Sequence, residues 1–154
     1  MRIQTKFFGV IDIKEDKIIT FEKGLLGFED FKKYTILYDI EEGKNSVISW
    51  LQSVEEPSLA LPIINPLVVR ADYNPIINDE LLVELGNLTE ENLSLFLVMT
   101  VPKDIQKMTV NLKAPLIINS DEKKGMQMIV ENQDYKVKYF IYDSFAKNKE
   151  DSAC

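Results

Sequence analysis

Carboxylates dominate the reactive side chains of this 154-residue sequence, because it contains no histidine and its single cysteine, Cys154, is the last residue. The lack of histidine excludes every Ser-His, Cys-His and His-metal mechanism at once. Any catalysis would rest on carboxylates, Lys or Tyr. A carboxylate pair working as acid and base has to face across a cleft. Glu55-Glu56 and Asp79-Glu80 are adjacent instead, so a strand points them to opposite faces and a helix splays them by about 100 degrees. Asp79, Glu80 and Glu84 offer oxygens at helical spacing, but no Asp-x-Asp-x-Asp-Gly loop and no cluster of soft ligands accompanies them. No metal or cofactor is expected. Gly24-Leu25-Leu26-Gly27 lacks the Lys-Ser/Thr that completes a phosphate loop and reads as a turn.

The chemistry left to the carboxylates is long-range attraction. Residues 1–54 carry nine acids and eight bases, and residues 92–154 carry eight acids and nine bases. Residues 55–91 contain Glu55, Glu56, Asp72, Asp79, Glu80, Glu84, Glu90 and Glu91 against Arg70 alone. The whole formal net charge of -7 therefore sits in about one quarter of the chain. Gathered on one surface, these residues would attract a basic protein and speed its association in a salt-dependent way. The same field repels nucleic acid, for which a basic stripe is required. The plainer reading is a solvated acidic coat that maintains solubility. Asp72, Glu80, Glu84, Glu90 and Glu91 are the candidate contact residues. Tyr73, between Asp72 and Asn74-Pro75, is either an exposed anchor or a core residue. Trp50 sits in a strand pattern and reads as core.

Elements to position these residues follow from the apolar pattern. Residues 108–114 and 135–139 alternate apolar and polar side chains, the signature of half-buried strands. Runs at 34–38, 47–51, 93–101, 116–118 and 126–130 are nearly continuous in apolar and β-branched residues and read as interior strands, bounded by turn formers such as Glu42-Gly43-Lys44-Asn45 and Gly125. Short strands are expected at 2–7, 10–13 and 17–21, with a tight turn at Glu15-Asp16. The helix candidate is 79–85: Asn78 suits the cap, Asp79 and Glu80 suit the positive end of the dipole, and Gly86 suits the left-handed close. A second turn is expected from Thr89. The fold class is mainly β, a small antiparallel β-barrel or compressed sandwich with one or two short helices.

A single domain over 1–143 and a flexible tail over 144–154 are expected. The longest apolar run, 93–101, falls short of the ~20 residues of a membrane helix, and residues 1–15 lack an export pattern. A cytoplasmic, monomeric protein is the expectation, with the lone cysteine in keeping with a reducing compartment.

The motif Gly24-Leu25-Leu26-Gly27-Phe28-Glu29, then Trp50-Leu51-Gln52-Ser53 with Pro57-Ser58-Leu59-Ala60-Leu61, then Asn111-Leu112-Lys113-Ala114-Pro115 leading to Ile118-Asn119 and Gly125-Met126-Gln127, closely resembles the FliW family of flagellar assembly factors. The resemblance spans residues 1 to about 143. Leu26 stands where the family pattern has Pro, and Asn65-Pro66 where Asp-Pro is common. The resemblance implies a barrel-like, non-enzymatic protein that binds the RNA-binding translational regulator CsrA beside its RNA face and relieves repression of flagellin mRNA. It also implies flagellin as a second partner, which captures the factor and frees the regulator. For the motif residues an architectural role is expected, Gly24 and Gly27 in a positive-φ turn and Asn111 and Asn119 satisfying local backbone groups, while Gln127, alternating with Met126 and Met128, is expected to face solvent, where a recognition role is open to it. The reading from a different class is a carboxylate-dependent hydrolase or small-molecule binder using the barrel mouth, which requires an enclosed pocket of roughly 300 Å3 with convergent polar groups.

Overall fold

The computed structural model describes residues 1–38 and 48–142. The turn expected at 42–45 and the tail at 144–154 lie outside the described residues. The described residues form eleven strands: β1 Arg2–Gln4, β2 Val10–Asp12, β3 Ile19–Phe21, β4 Lys33–Tyr38, β5 Ile48–Ser53, β6 Ala60–Ile64, β7 Leu93–Thr100, β8 Thr109–Val110, β9 Leu116–Asn119, β10 Lys124–Gln127 and β11 Tyr139–Phe140. Helical structure among the described residues comprises α1 Pro66–Val69, α2 Asp79–Leu82 and single 3-10 turns at Glu15–Lys17, Val83–Leu85 and Ile105–Lys107.

Strands pair in the order β7-β6-β5-β4-β3-β10-β9, and β9 returns to β7, which closes a seven-stranded barrel. The mainly β barrel is therefore observed. It is not wholly antiparallel: β10 runs parallel to β3, with Lys124 beside Thr20 and Gly125 beside Phe21. Gly125 permits that approach, since a Cβ there would lie 2.5 Å from the Phe21 ring. β8 and β11 extend the sheet past β7, and β1-β2 form a separate hairpin.

Three apolar clusters follow from this closure. Phe21, Tyr34, Leu51, Ile63 and Leu116 fill the barrel. Ile64, Leu97, Met99 and Val110 on the outer side are covered by Tyr73, Tyr135 and Ile141. Leu85 packs on Ile117, Met126 and Met128 beneath the α2 segment. Because β7 and β9 contribute to clusters on both faces, their sequences read as unbroken apolar runs rather than alternation.

Where the alternation is clear, the strands are in fact short. Of residues 108–114 only Thr109–Val110 pairs, because the Asn111 Oδ1 accepts from the amides of Lys113 and Ala114, 3.0 Å each, and turns the chain. Thr109, expected to face water, is buried. In 135–139 only Tyr139 belongs to a strand, since the Tyr135 ring stacks on Tyr73 instead of entering the sheet. β6 carries no alternation and a proline, Pro62. It is tolerated because β6 meets β7 only at Ile63 and Ile64, after the proline.

Candidate partner-binding surface

The acidic stretch divides into three local environments. Glu55 belongs to the loop after β5. Its Oε1 accepts from the amides of Lys32 at 2.6 Å and Lys33 at 2.9 Å, and these two bonds, Lys32 first, hold its pKa below the ordinary carboxylate value. The loop is stapled from beneath by β5. Ser53 Oγ accepts from Glu55 N and Glu56 N, and buried Gln52 shares its Nε2 among the carbonyls of Ser53, Pro57 and Leu59. Glu55 is thus bound up in backbone geometry.

Asp72 follows α1 and is held at 2.8 Å by Arg70 Nε, whose hydrogen bond lowers its pKa. Arg70 also reaches Asp134 at 3.5 Å and lies over the Tyr135 ring. Of the two roles open to Tyr73, exposed anchor or core, the structure gives it the core. It is 8% exposed, stacks on Tyr135 at 4.9 Å and donates its hydroxyl to Leu112 O, and burial raises its pKa. Turning in satisfies both ring and hydroxyl.

The segment 79–91 is the third environment. Asn78 caps α2 by accepting from Glu80 N at 3.0 Å, and Gly86 closes the following 3-10 turn at φ 82, as its sequence anticipated. Asp79, Glu80, Glu84, Glu90 and Glu91 are all exposed. Glu84 pairs with Lys23 at 3.1 Å. Thr89 and Asn92 hold each other through a reciprocal pair: Thr89 N donates to Asn92 Oδ1 at 2.7 Å, and Asn92 N to Thr89 Oγ1 at 3.3 Å. This fixes the turn that presents Glu90 and Glu91.

Two asparagines tie the segment to the barrel. Asn119, fully buried at the end of β9, donates to Leu85 O at 2.8 Å and accepts from the amides of Asp121 and Glu122. Asn92 donates to Asn87 O and to Asp121 Oδ2. Asp121 and Glu122 thereby join the edge of the acidic segment, and a Cβ on Gly86 would lie 3.2 Å from Glu122 Cγ. The segment count missed them because they sit in a stretch that is neutral overall. Asn92 was missed too, since one buried asparagine carries no pattern.

The motif residues hold the scaffold. Gly24 and Gly27 take φ of 67 and 87. Gln127 is half-buried, accepting from Leu26 N at 2.8 Å and donating to Ala114 O at 3.1 Å, so it clips the glycine turn to the Ala114-Pro115 junction rather than facing water. The Leu26 amide that it uses is one that proline would lack. Asn65 caps α1 by accepting from Leu67 N at 2.9 Å, a task Asp performs equally well. Trp50 points outward, half-buried, with Phe7 at 4.5 Å.

Two open grooves mark the barrel. One of about 560 Å3 lies at its mouth, with Ile36, Phe96 and Ile118 among its walls and Lys14, Lys17 and Asp16 on its rim. The other, about 430 Å3, lies beside β7. The three carboxyls whose acidity is shifted, Glu29, Glu55 and Asp72, line neither groove. Among the described residues no group of His, Cys, Asp or Glu is arranged to hold a metal ion. No helix there is long and apolar enough to cross a membrane.

The FliW protein family model matches residues 2–141. The chain belongs to the FliW family. It is 58% identical over 156 residues to the flagellar assembly factor FliW of Lachnoclostridium phytofermentans, covering 100% of both chains. It is 39% identical to that of Thermotoga maritima, covering 92% of this chain and 93% of the relative. A crystal structure of the flagellar assembly factor FliW superposes with a TM-score of 0.83 at 32% identity, covering 92% of this chain and 97% of that one. A flagellar assembly factor of the FliW type built on a β-barrel is therefore the identity of this fold, and the sequence resemblance holds over the whole barrel.

Proposed function

We propose that this FliW-family chain is a non-enzymatic antagonist of a CsrA-type RNA-binding regulator, relieving repression of flagellin mRNA, and that flagellin is its second partner. It acts in the cytoplasm as a monomer when free, without a cofactor and without touching nucleic acid itself. The observation that carries this reading is the anchored run of exposed carboxylates at Glu80, Glu84, Glu90 and Glu91, extended by Asp121 and Glu122. A protein that holds RNA phosphates has to be basic, so such a surface attracts the regulator while repelling its RNA. We assign Asp72, held by Arg70, to the border of the regulator site, and Tyr73 acts through packing.

Calorimetric titration of the full chain with the purified regulator at two salt concentrations tests the proposal. Binding at low salt that weakens as salt rises, and that weakens further in the E80K/E90K/E91K variant, is the expected result. An affinity indifferent to both salt and substitution would remove the carboxylates from the interface. Adding saturating flagellin to the preformed complex then separates two partner arrangements: displacement means a shared site, and a ternary complex means two.

A further inference from the structure

β7 is incompletely paired. Over residues 93–96 it bonds to β9, but it meets β6 only at Leu97 and Val98, because β6 ends at Ile64 and Asn65 turns the chain into α1. Among the described residues, the second edge of β7 over 93–96 therefore has no strand beside it. The groove of about 430 Å3 follows this edge, walled by residues 65–67 and 73–75. Four consecutive β7 residues, Leu93, Ser94, Leu95 and Phe96, line it. Side chains alternate along a strand, so a groove lying on one face would take only every second residue. This one runs along the main chain.

Among the described residues its lining contains no charged side chain, and Leu67 and Leu93 are 61% and 41% exposed. In the chain, acids flank the lining segments: Asp72 precedes Tyr73, and Glu90 and Glu91 precede Leu93. Arg70 is engaged by Asp72 and Asp134.

We propose that this edge receives an extended segment of the basic regulator as an added strand, an inference that rests on the regulator reading above. An open strand edge presents main-chain donors and acceptors that only an extended peptide matches. The apolar walls accept its alternate side chains, and Glu90 and Glu91, close before Leu93 in the chain, favour Lys or Arg in the incoming segment. A helix satisfies its own main chain internally and leaves the edge unused.

Two measurements on the full chain with the purified regulator test this. In calorimetry, the neutral double substitution L67Q/L93Q is expected to weaken binding about tenfold. V10Q on the separate β1-β2 hairpin is expected to change nothing. In hydrogen exchange on the unsubstituted chain, the edge-facing amides of residues 93–96 other than Leu93, whose N–H already donates to Thr89 O, are expected to slow when the regulator is added. That second reading does not depend on the variant folding. Regulator binding that survives L67Q/L93Q with unaltered exchange at 93–96 overturns the groove and leaves the regulator reading intact. Failure of the unsubstituted chain to bind the regulator at all overturns the regulator reading itself. Protection of the same amides by flagellin, and not by the regulator, overturns the assignment of occupant.

Discussion

Glu55 and Glu90 belong to the same acid-rich stretch, yet the structure uses them in opposite ways. Around residues 24–33 and 52–59 side chains are spent on backbone: Glu55 accepts from the amides of Lys32 and Lys33, Ser53 Oγ accepts from those of Glu55 and Glu56, and Gln52 Nε2 donates to the loop carbonyls. Around 79–91 the asparagines take the backbone work, and the carboxylates project outward. Charge type is therefore a poor guide to role. Role follows from whether unsatisfied amides lie within reach.

The sharpest way to break this contrast is at the stapled end. Gly24→Ala is expected to cost about 3 kcal/mol or more, since the new Cβ would lie 2.6 Å from Glu29 Cα and 2.7 Å from its carbonyl oxygen, at a φ of 67 that alanine resists. Gly27→Ala, at φ 87 with open space around it, is expected to cost only about 1 kcal/mol. Urea denaturation of the two variants side by side measures the difference. Equal costs would mean that strain, and not the close approach, governs the turn.

Glu55→Gln is the next largest, an expected loss of about 1 kcal/mol at neutral pH, kept small by the exposure of the group. Its folded-state pKa lies below the ordinary value of 4.5, so its contribution is complete above that pH and fades as pH falls through the lowered value. Glu29, held by its own amide and that of Gly27, behaves in the same sense. Stability measured between pH 7 and pH 3 should therefore fall less steeply in Glu55→Gln than in the unsubstituted chain; parallel curves would contradict the stapling role.

Leu26→Pro sharpens the comparison at smaller scale. Restricting the unfolded chain stabilises by about 0.4 to 1 kcal/mol, while losing the amide to Gln127 costs about as much, so the net change is expected within about 0.5 kcal/mol. In a Gln127→Ala background the same substitution should become stabilising, and a double-mutant cycle reads the coupling. At the open end, E90K/E91K is expected to move the unfolding free energy by less than about 0.5 kcal/mol while weakening regulator binding at low salt. A large loss of stability there would place those carboxylates with Glu55 after all.

The interior strands β4, β5, β7 and β9, the capped helix start at Asn78 and the closing Gly86 were legible because each depends on neighbours within one turn or one strand, whereas of the strand expected over 126–130 only Met126 and Gln127 pair. β6 was not legible, since Pro62 is acceptable only where β7 happens to be absent. The strands at 108–114 and 135–139 looked clearer than they are because alternation records burial, and here much of the burial comes from the Tyr73-Tyr135 stack and the Asn111 turn rather than from pairing. Tyr73 shows the same limit. Its neighbours left anchor and core both open, because the partner that buries it, Tyr135, lies far along the chain.

What the amino-acid order determined alone was the inventory: β-rich apolar runs, no histidine chemistry, a local excess of carboxylates and a set of turn residues with defined backbone demands. Tertiary structure decided which carboxylates remain free, which outlying acids join them and where the barrel leaves an edge unpaired. Those outcomes depend on contacts between residues distant in sequence, and such contacts leave no periodic trace because the chain's local geometry repeats over only two to four residues.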